Sequence, residues 1–93
     1  MKVSRLTARY HLNGCRSLKE KRKRLKGLRD RFGKITNVAV CESGFQDSLQ
    51  RSEWSFIAGA QSAVVVEQTL AKIELSLENV DAQLLDIDRE QLL

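Results

Sequence analysis

Two kinds of residue in this chain could carry chemistry. The first are nucleophiles and metal ligands: Cys15, Cys41 and a single histidine, His11. A cysteine nucleophile needs a base within hydrogen-bond reach, and His11 is the only histidine able to serve. The cysteines stand 26 positions apart with no Cys-x-x-Cys pair, so neither a four-ligand zinc site nor a dithiol motif can be written from them. They read as two reduced thiols. No catalytic residue, metal or cofactor is expected, and no small-molecule substrate is evident.

The second kind is charge. Residues 17–32, "SLKEKRKRLKGLRDRF", hold eight lysines and arginines against two acids. The imbalance extends outward: residues 1–34 carry 13 basic and two acidic groups, residues 35–93 three basic and ten acidic. That gives +11 and −7 within a chain of net charge +4. Such a split points to an anionic partner for the first part, or to basic and acidic faces packed together.

These residues must be positioned by elements that the hydropathy pattern delineates. In residues 2–12, Leu6, Ala8, Tyr10 and Leu12 share one parity, with Arg5, Thr7, Arg9 and His11 on the other, which predicts a half-buried strand. Ser17 followed by Glu20 is a capping box and starts a helix. Within it Leu18, Leu25, Leu28 and Phe32 fall in an arc of about 80°. Lys21 and Arg29 flank that arc, with stems over apolar surface and charges directed outward; Gly33 is the stop. "ITNVAVCE", residues 35–42, predicts a second strand and "SGFQDSLQ" a connection. Trp54, Phe56 and Ala58 alternate in a third strand, and Gly59–Ser62 is a turn. Val66, Leu70, Ile73 and Leu77 mark a second amphipathic helix. "AQLLDIDRE" is a fourth strand, with Leu85 and Ile87 on one parity.

The order βαββαβ predicts a single α+β domain over residues 1–93: a ferredoxin-like sandwich, a four-stranded antiparallel sheet with two helices on one face. The aromatics Tyr10, Trp54 and Phe56 share the core parity, unlike an RRM, which stacks bases on exposed sheet aromatics. The open face would carry Arg5, Arg9, Glu53, Asp86 and Asp88, with Asp86 and Asp88 of the fourth strand pairing Arg5 and Arg9 across the ladder. The Gly-containing loop "NGCRS" occupies the place where acylphosphatases on this fold hold a phosphate. One glycine and no suitable asparagine in the third strand leave that as topology alone.

"RSLKEKR" after the first strand, "FQDSLQRSEW" entering the third and "LLDIDREQLL" at the end resemble the YlxP-like family of small uncharacterised bacterial proteins. Ser17, Leu18, Lys19, Glu20, Lys21 and Arg22 match its hallmark; Asp47 and Gln50 match its polar positions before the third strand. The chain departs from it in the turn Ser43–Gly44–Phe45. The resemblance implies a ferredoxin-like, often dimeric protein. The neighbourhood of the family's genes to those for translation initiation and ribosome maturation implies an association with ribosomes.

Outside its apolar arc the first helix exposes Lys19, Arg22, Lys23, Arg24, Lys26 and Arg31. Only Glu20–Arg24 and Lys26–Asp30 are favourable i,i+4 pairs, while Lys19–Lys23 and Arg22–Lys26 repel. Gly27 costs the helix about 1 kcal/mol relative to alanine. A surface this unfavourable locally suits nucleic-acid phosphates, with Arg16 and the first-turn N–H groups adding an anion site. The expectation is a non-enzymatic RNA-binding module contacting ribosomal RNA or a ribosome-assembly particle through Arg16, Lys19, Arg22, Lys23, Lys26 and Arg31. The alternative is a protein-interaction or homodimerisation module with a solvated basic helix. No apolar run of 18 residues exists to span a membrane, and Arg5 and Arg9 interrupt any signal peptide, so a cytoplasmic location is expected.

Overall fold

Alternation along the first strand fixes which side of the sheet is covered. In the computed structural model, which describes residues 1–93, the elements are β1 (Lys2–His11), α1 (Leu18–Phe32), β2 (Val38–Gly44), β3 (Arg51–Ala60), α2 (Ala63–Glu74) and β4 (Gln83–Gln91). Leu6, Ala8 and Tyr10 are fully buried, and the residues between them face the open side. The sheet order is β2-β3-β1-β4, every neighbouring pair antiparallel. This is the ferredoxin-like α+β sandwich.

Both helices lay their single apolar stripe on the same side of the sheet. α1 lies over β2, and α2 over β1 and β3. Leu25, Leu28 and Phe32 meet Val66, Leu70 and Ile73 in one cluster over Leu6, Tyr10, Trp54 and Phe56. Phe32 and Phe56 pack edge to face with centroids 5.6 Å apart, the geometry favoured by the ring quadrupole. No helix is long and apolar enough to cross a membrane.

The elements differ from the sequence expectation at several points; β2 runs on through Ser43 and Gly44 and β3 begins at Arg51. β2 starts at Val38, not Ile35, because the Ile35 N–H bonds Phe32 O and its carbonyl accepts from Val38 in the turn leaving α1. Gly59 and Ala60 belong to β3, paired with Val3 and Lys2, so the turn begins only after them. α2 ends at Glu74, and Leu77 is buried in the following turn. On β4 the register slips between Arg9 and Tyr10, whose partners are Asp86 and Leu84. The extra residue of this bulge is Leu85. Leu84 and Ile87 therefore pack on the core while Leu85 is exposed, the reverse of the simple alternation for the two leucines.

Tyr10 ties the sheet to the turn that follows α2. Its hydroxyl donates to Leu77 O at 2.7 Å in the buried interior. Burial, and then the charge of Glu78, raises its pKa above the ordinary phenol value. The neutral phenol is favoured by the fold, so this stabilisation is complete below the unfolded-state pKa of about 10 and is lost as pH rises beyond it. Urea titrations from pH 9 to 11 should show stability falling with a Tyr10 contribution of up to roughly 1.4 kcal/mol per pH unit. Tyr10→Phe should remove that contribution while costing about 1 kcal/mol at neutral pH.

Candidate nucleic-acid interface

The orientation of α1 is set at its N-terminus and by one buried charge. The Ser17 side chain accepts from the Glu20 N–H at 3.0 Å. Glu20 does not close the box on Ser17, and its carboxylate reaches back to the Arg16 N–H at 3.4 Å. At the head of this helix the N–H groups of Arg16 and Glu20 are thus already engaged by the chain, and Arg16 offers its side chain.

Lys21, not Leu18, completes the buried face of α1 with Leu25, Leu28 and Phe32; Leu18 is 41% exposed. The expected outward reach of the Lys21 charge is therefore corrected. Its ammonium donates to Phe45 O and Ser48 O, both at 2.7 Å, and meets Glu42 Oε2 at 2.9 Å. Two carbonyls that accept its protons and a carboxylate at ion-pair distance surround the ammonium, which lets the charge be buried. Glu42 also accepts from the Ser52 hydroxyl, whose oxygen accepts from Trp54 Nε1 at 2.8 Å. The network joins α1, β2, β3 and the β2–β3 connection, in which Phe45 takes a positive φ of 60°.

With that face fixed, Arg16, Lys19, Arg22, Lys23, Lys26 and Arg31 all stand exposed. Ion pairs of α1 involve only Lys21, Arg24 and Lys26, the last a loose contact with Asp30 at 3.8 Å. Arg24 is the exception to the exposed set: Glu20, Asp81 and the carbonyls of Asp81 and Asn13 hold it against the body of the protein. The acidic part of the chain compensates the other elements. Eight of its ten acids are paired, yet only Glu42 and Asp81 reach α1. Glu67 and Glu74 bind Arg89, Glu53, Asp86 and Asp88 surround Arg9, and Arg5 is bound by Glu90 instead of the expected Asp86 or Asp88, both of which Arg9 takes. Hydrogen bonds donated to Asp88 and then to Asp86 raise the pKa of Arg9 above its ordinary value. The open sheet face is neutralised; the outer face of α1 is not.

A groove of about 500 Å³ runs between α1 and the β2–β3 connection. Lys19, Arg22, Lys23 and Lys26 line it, with Leu18, Leu25 and Trp54 as its apolar part. Arg16 lies outside the lining at the head of the helix, and Arg31 is also outside it, on the flank shared with Arg24 by the 100° helical step. Arg29, absent from the expected set, lines the groove with its guanidinium 5.6 Å from the Trp54 ring centroid. Its position one turn beyond Leu25 hinted at a rim residue, but its partner across the α1–β3 contact is a tertiary fact.

The thiols and imidazole do not assemble. β1 and β2 run parallel, each antiparallel to β3. Cys15 is buried in the core, whereas Cys41 is exposed opposite Ser55 in mid-strand, away from the His11 end. Asp47 is exposed in the β2–β3 connection, and the Gln50 carbonyl accepts from the Leu12 N–H.

Residues 3–89 match the family described as a protein of unknown function, DUF503. Over 57 residues the chain is 39% identical to the uncharacterised protein YlxP of Bacillus subtilis, a match spanning 61% of this chain and 62% of that protein's length. The resemblance carried by the Ser17–Arg22 run is borne out by both. A crystal structure of At3g17210 from Arabidopsis thaliana superposes with a TM-score of 0.49 at 10% identity, covering 98% of this chain and 93% of that one.

Two lysines of the same run should behave oppositely. Lys21→Met leaves Glu42 and two carbonyls without their partner and should cost about 3–5 kcal/mol in a urea titration. Lys19→Met, on the exposed face, should stay within about 0.5 kcal/mol of the parent. Gly27, exposed, leaves a Cβ 3.8 Å from Val80 Cγ1, an ordinary contact. Gly27→Ala should therefore stabilise the protein, by about 0.5–1 kcal/mol in the same titration.

Proposed function

The chain belongs to the DUF503 family of proteins of unknown function, and for this member we propose a non-enzymatic RNA-binding module of the cytoplasm that holds phosphates along α1. Ribosomal RNA, free or in an assembly particle, is the partner this reading names. The observation that carries it is the uncompensated outer face of α1. Lys19, Arg22 and Lys23 have no carboxylate partner, and Lys26 has only the loose contact with Asp30, while the acids of residues 35–93 mostly neutralise the sheet and α2 side. Cations left in water near one another gain by exchanging condensed counterions for a polyanion's phosphates.

Arg16 at the helix head together with Lys19, Arg22, Lys23 and Lys26 makes five phosphate contacts along α1. Arg31, on the flank shared with Arg24, contributes little to a strand tracking the groove side. The sheet-mediated homodimer remains a distinct arrangement, because it would use the open face or an edge strand rather than α1. Charge reversal separates the two.

Affinity for a ribosomal RNA fragment should fall with salt along a log–log slope of about −3.5 to −4.5, at about 0.7 to 0.9 per contact. Lys19→Glu with Lys23→Glu should abolish binding and leave any sheet-mediated dimer intact by size-exclusion chromatography. Arg31→Ala should leave the slope where it was. A flat salt response, or no binding at about 50 mM salt, removes the reading.

A further inference from the structure

We infer that the groove between α1 and the β2–β3 connection takes an unpaired nucleotide, its base lying on the Arg29 guanidinium, so that the protein prefers single-stranded RNA to duplex. This rests on the RNA reading of α1 and adds what that reading lacks, a reason to distinguish one form of RNA from another.

Three observations meet at this place. The groove is not lined by cations alone. Beside Lys19, Arg22, Lys23 and Lys26 it is lined by the exposed Leu18 and by the edges of the buried Leu25 and Trp54, and phosphates have no use for apolar surface whereas a base does. Arg29 supplies a platform. Its guanidinium carbon lies over the Trp54 ring, 5.6 Å from the centroid and within cation–π range. The residue is nonetheless exposed and lines the groove, so its guanidinium can be reached by groove contents. Guanidinium planes and aromatic rings are the surfaces on which unpaired bases stack. The ring itself is 6% exposed. Trp54 is therefore the support and Arg29 the contact. Finally, about 500 Å³ falls within the roughly 300–1,000 Å³ of a small-ligand pocket.

The charges in the groove sort by position. Glu42 lines it too, but its carboxylate is engaged by Lys21 and Ser52. What faces a ligand is five cations, Lys19, Arg22, Lys23, Lys26 and Arg29, against the single carboxylate Asp30. The groove is thus basic along α1, where a backbone would run, and apolar beside Arg29. An A-form duplex keeps its bases stacked inside and offers phosphates and 2′-hydroxyls across a shallow surface, so it meets the outer face of α1 without entering the groove.

The test uses the intact protein, a labelled oligouridylate and an A-form duplex of equal length, followed by anisotropy and by the emission of Trp54, the chain's only tryptophan. The single strand is expected to bind more tightly and to change Trp54 emission saturably, with the duplex leaving it unchanged. Arg29→Lys keeps the charge and loses the plane. It should weaken single-strand binding about 10-fold with an unchanged salt slope, and leave duplex binding as it was. Equal affinity for both forms with silent Trp54 emission, or an Arg29→Lys variant that binds the single strand like the parent, overturns the groove proposal while the phosphate reading of α1 stands. Absence of binding to either RNA at about 50 mM salt overturns both.

Discussion

A single ammonium group, that of Lys21, decides how α1 sits on the sheet. A buried cation is tolerated only when paired and fully hydrogen-bonded, and the oxygens that do this come from Glu42 on β2 and from Phe45 and Ser48 just after it. Helix rotation would strand that charge in the interior. Sliding the β2–β3 connection would remove the two carbonyls that accept from it. Phe45 holds a left-handed φ of 60°, a conformation that costs a non-glycine residue roughly 1–2 kcal/mol. The Lys21 bond to its carbonyl and the Arg51 guanidinium 4.7 Å from its ring centroid hold it in place.

The rest of α1 follows from that one orientation. With Lys21, Leu25, Leu28 and Phe32 inward, the helical step leaves Lys19, Arg22, Lys23 and Lys26 on one flank and Arg24 and Arg31 on the other. The two flanks then differ in what they meet. Arg24 finds Asp81 and two carbonyls, while the opposite flank opens onto the groove. The same network carries through Glu42 and Ser52 to Trp54. The charge that fixes the helix also fixes the ring that Arg29 covers.

The charge asymmetry of the sequence resolves into two different uses. On the sheet and α2 side, basic and acidic residues pair locally, as with Arg9 among Glu53, Asp86 and Asp88 and Arg89 with Glu67 and Glu74. Exposed pairs of this sort contribute little each, but they silence the field of that surface. Along α1 the positive charge persists, because the acidic partners lie on strands and loops that point elsewhere.

Much of this was legible from the chain alone. The period-two pattern of Leu6, Ala8 and Tyr10, the Ser17 cap and the stripe of Val66, Leu70 and Ile73 are local signals, and they gave the element order, the topology and the covered face of the sheet. The pairing of Arg9 with Asp86 and Asp88 followed from strand order. So did the exposure of Lys19, Arg22, Lys23 and Lys26, since helix geometry is local. What the sequence did not hold is long-range. The helical step put Lys21 beside the apolar arc and Lys19 outside it, but not the Lys21 charge in the interior, because burial of its ammonium depends on oxygens 21 to 27 positions away. The bulge at Leu85 and the meeting of Arg29 with Trp54 depend likewise on how one element is set against another. Local periodicity determines which face of an element is apolar, whereas only the packed tertiary structure decides which charge on that face finds partners and which is left to the solvent.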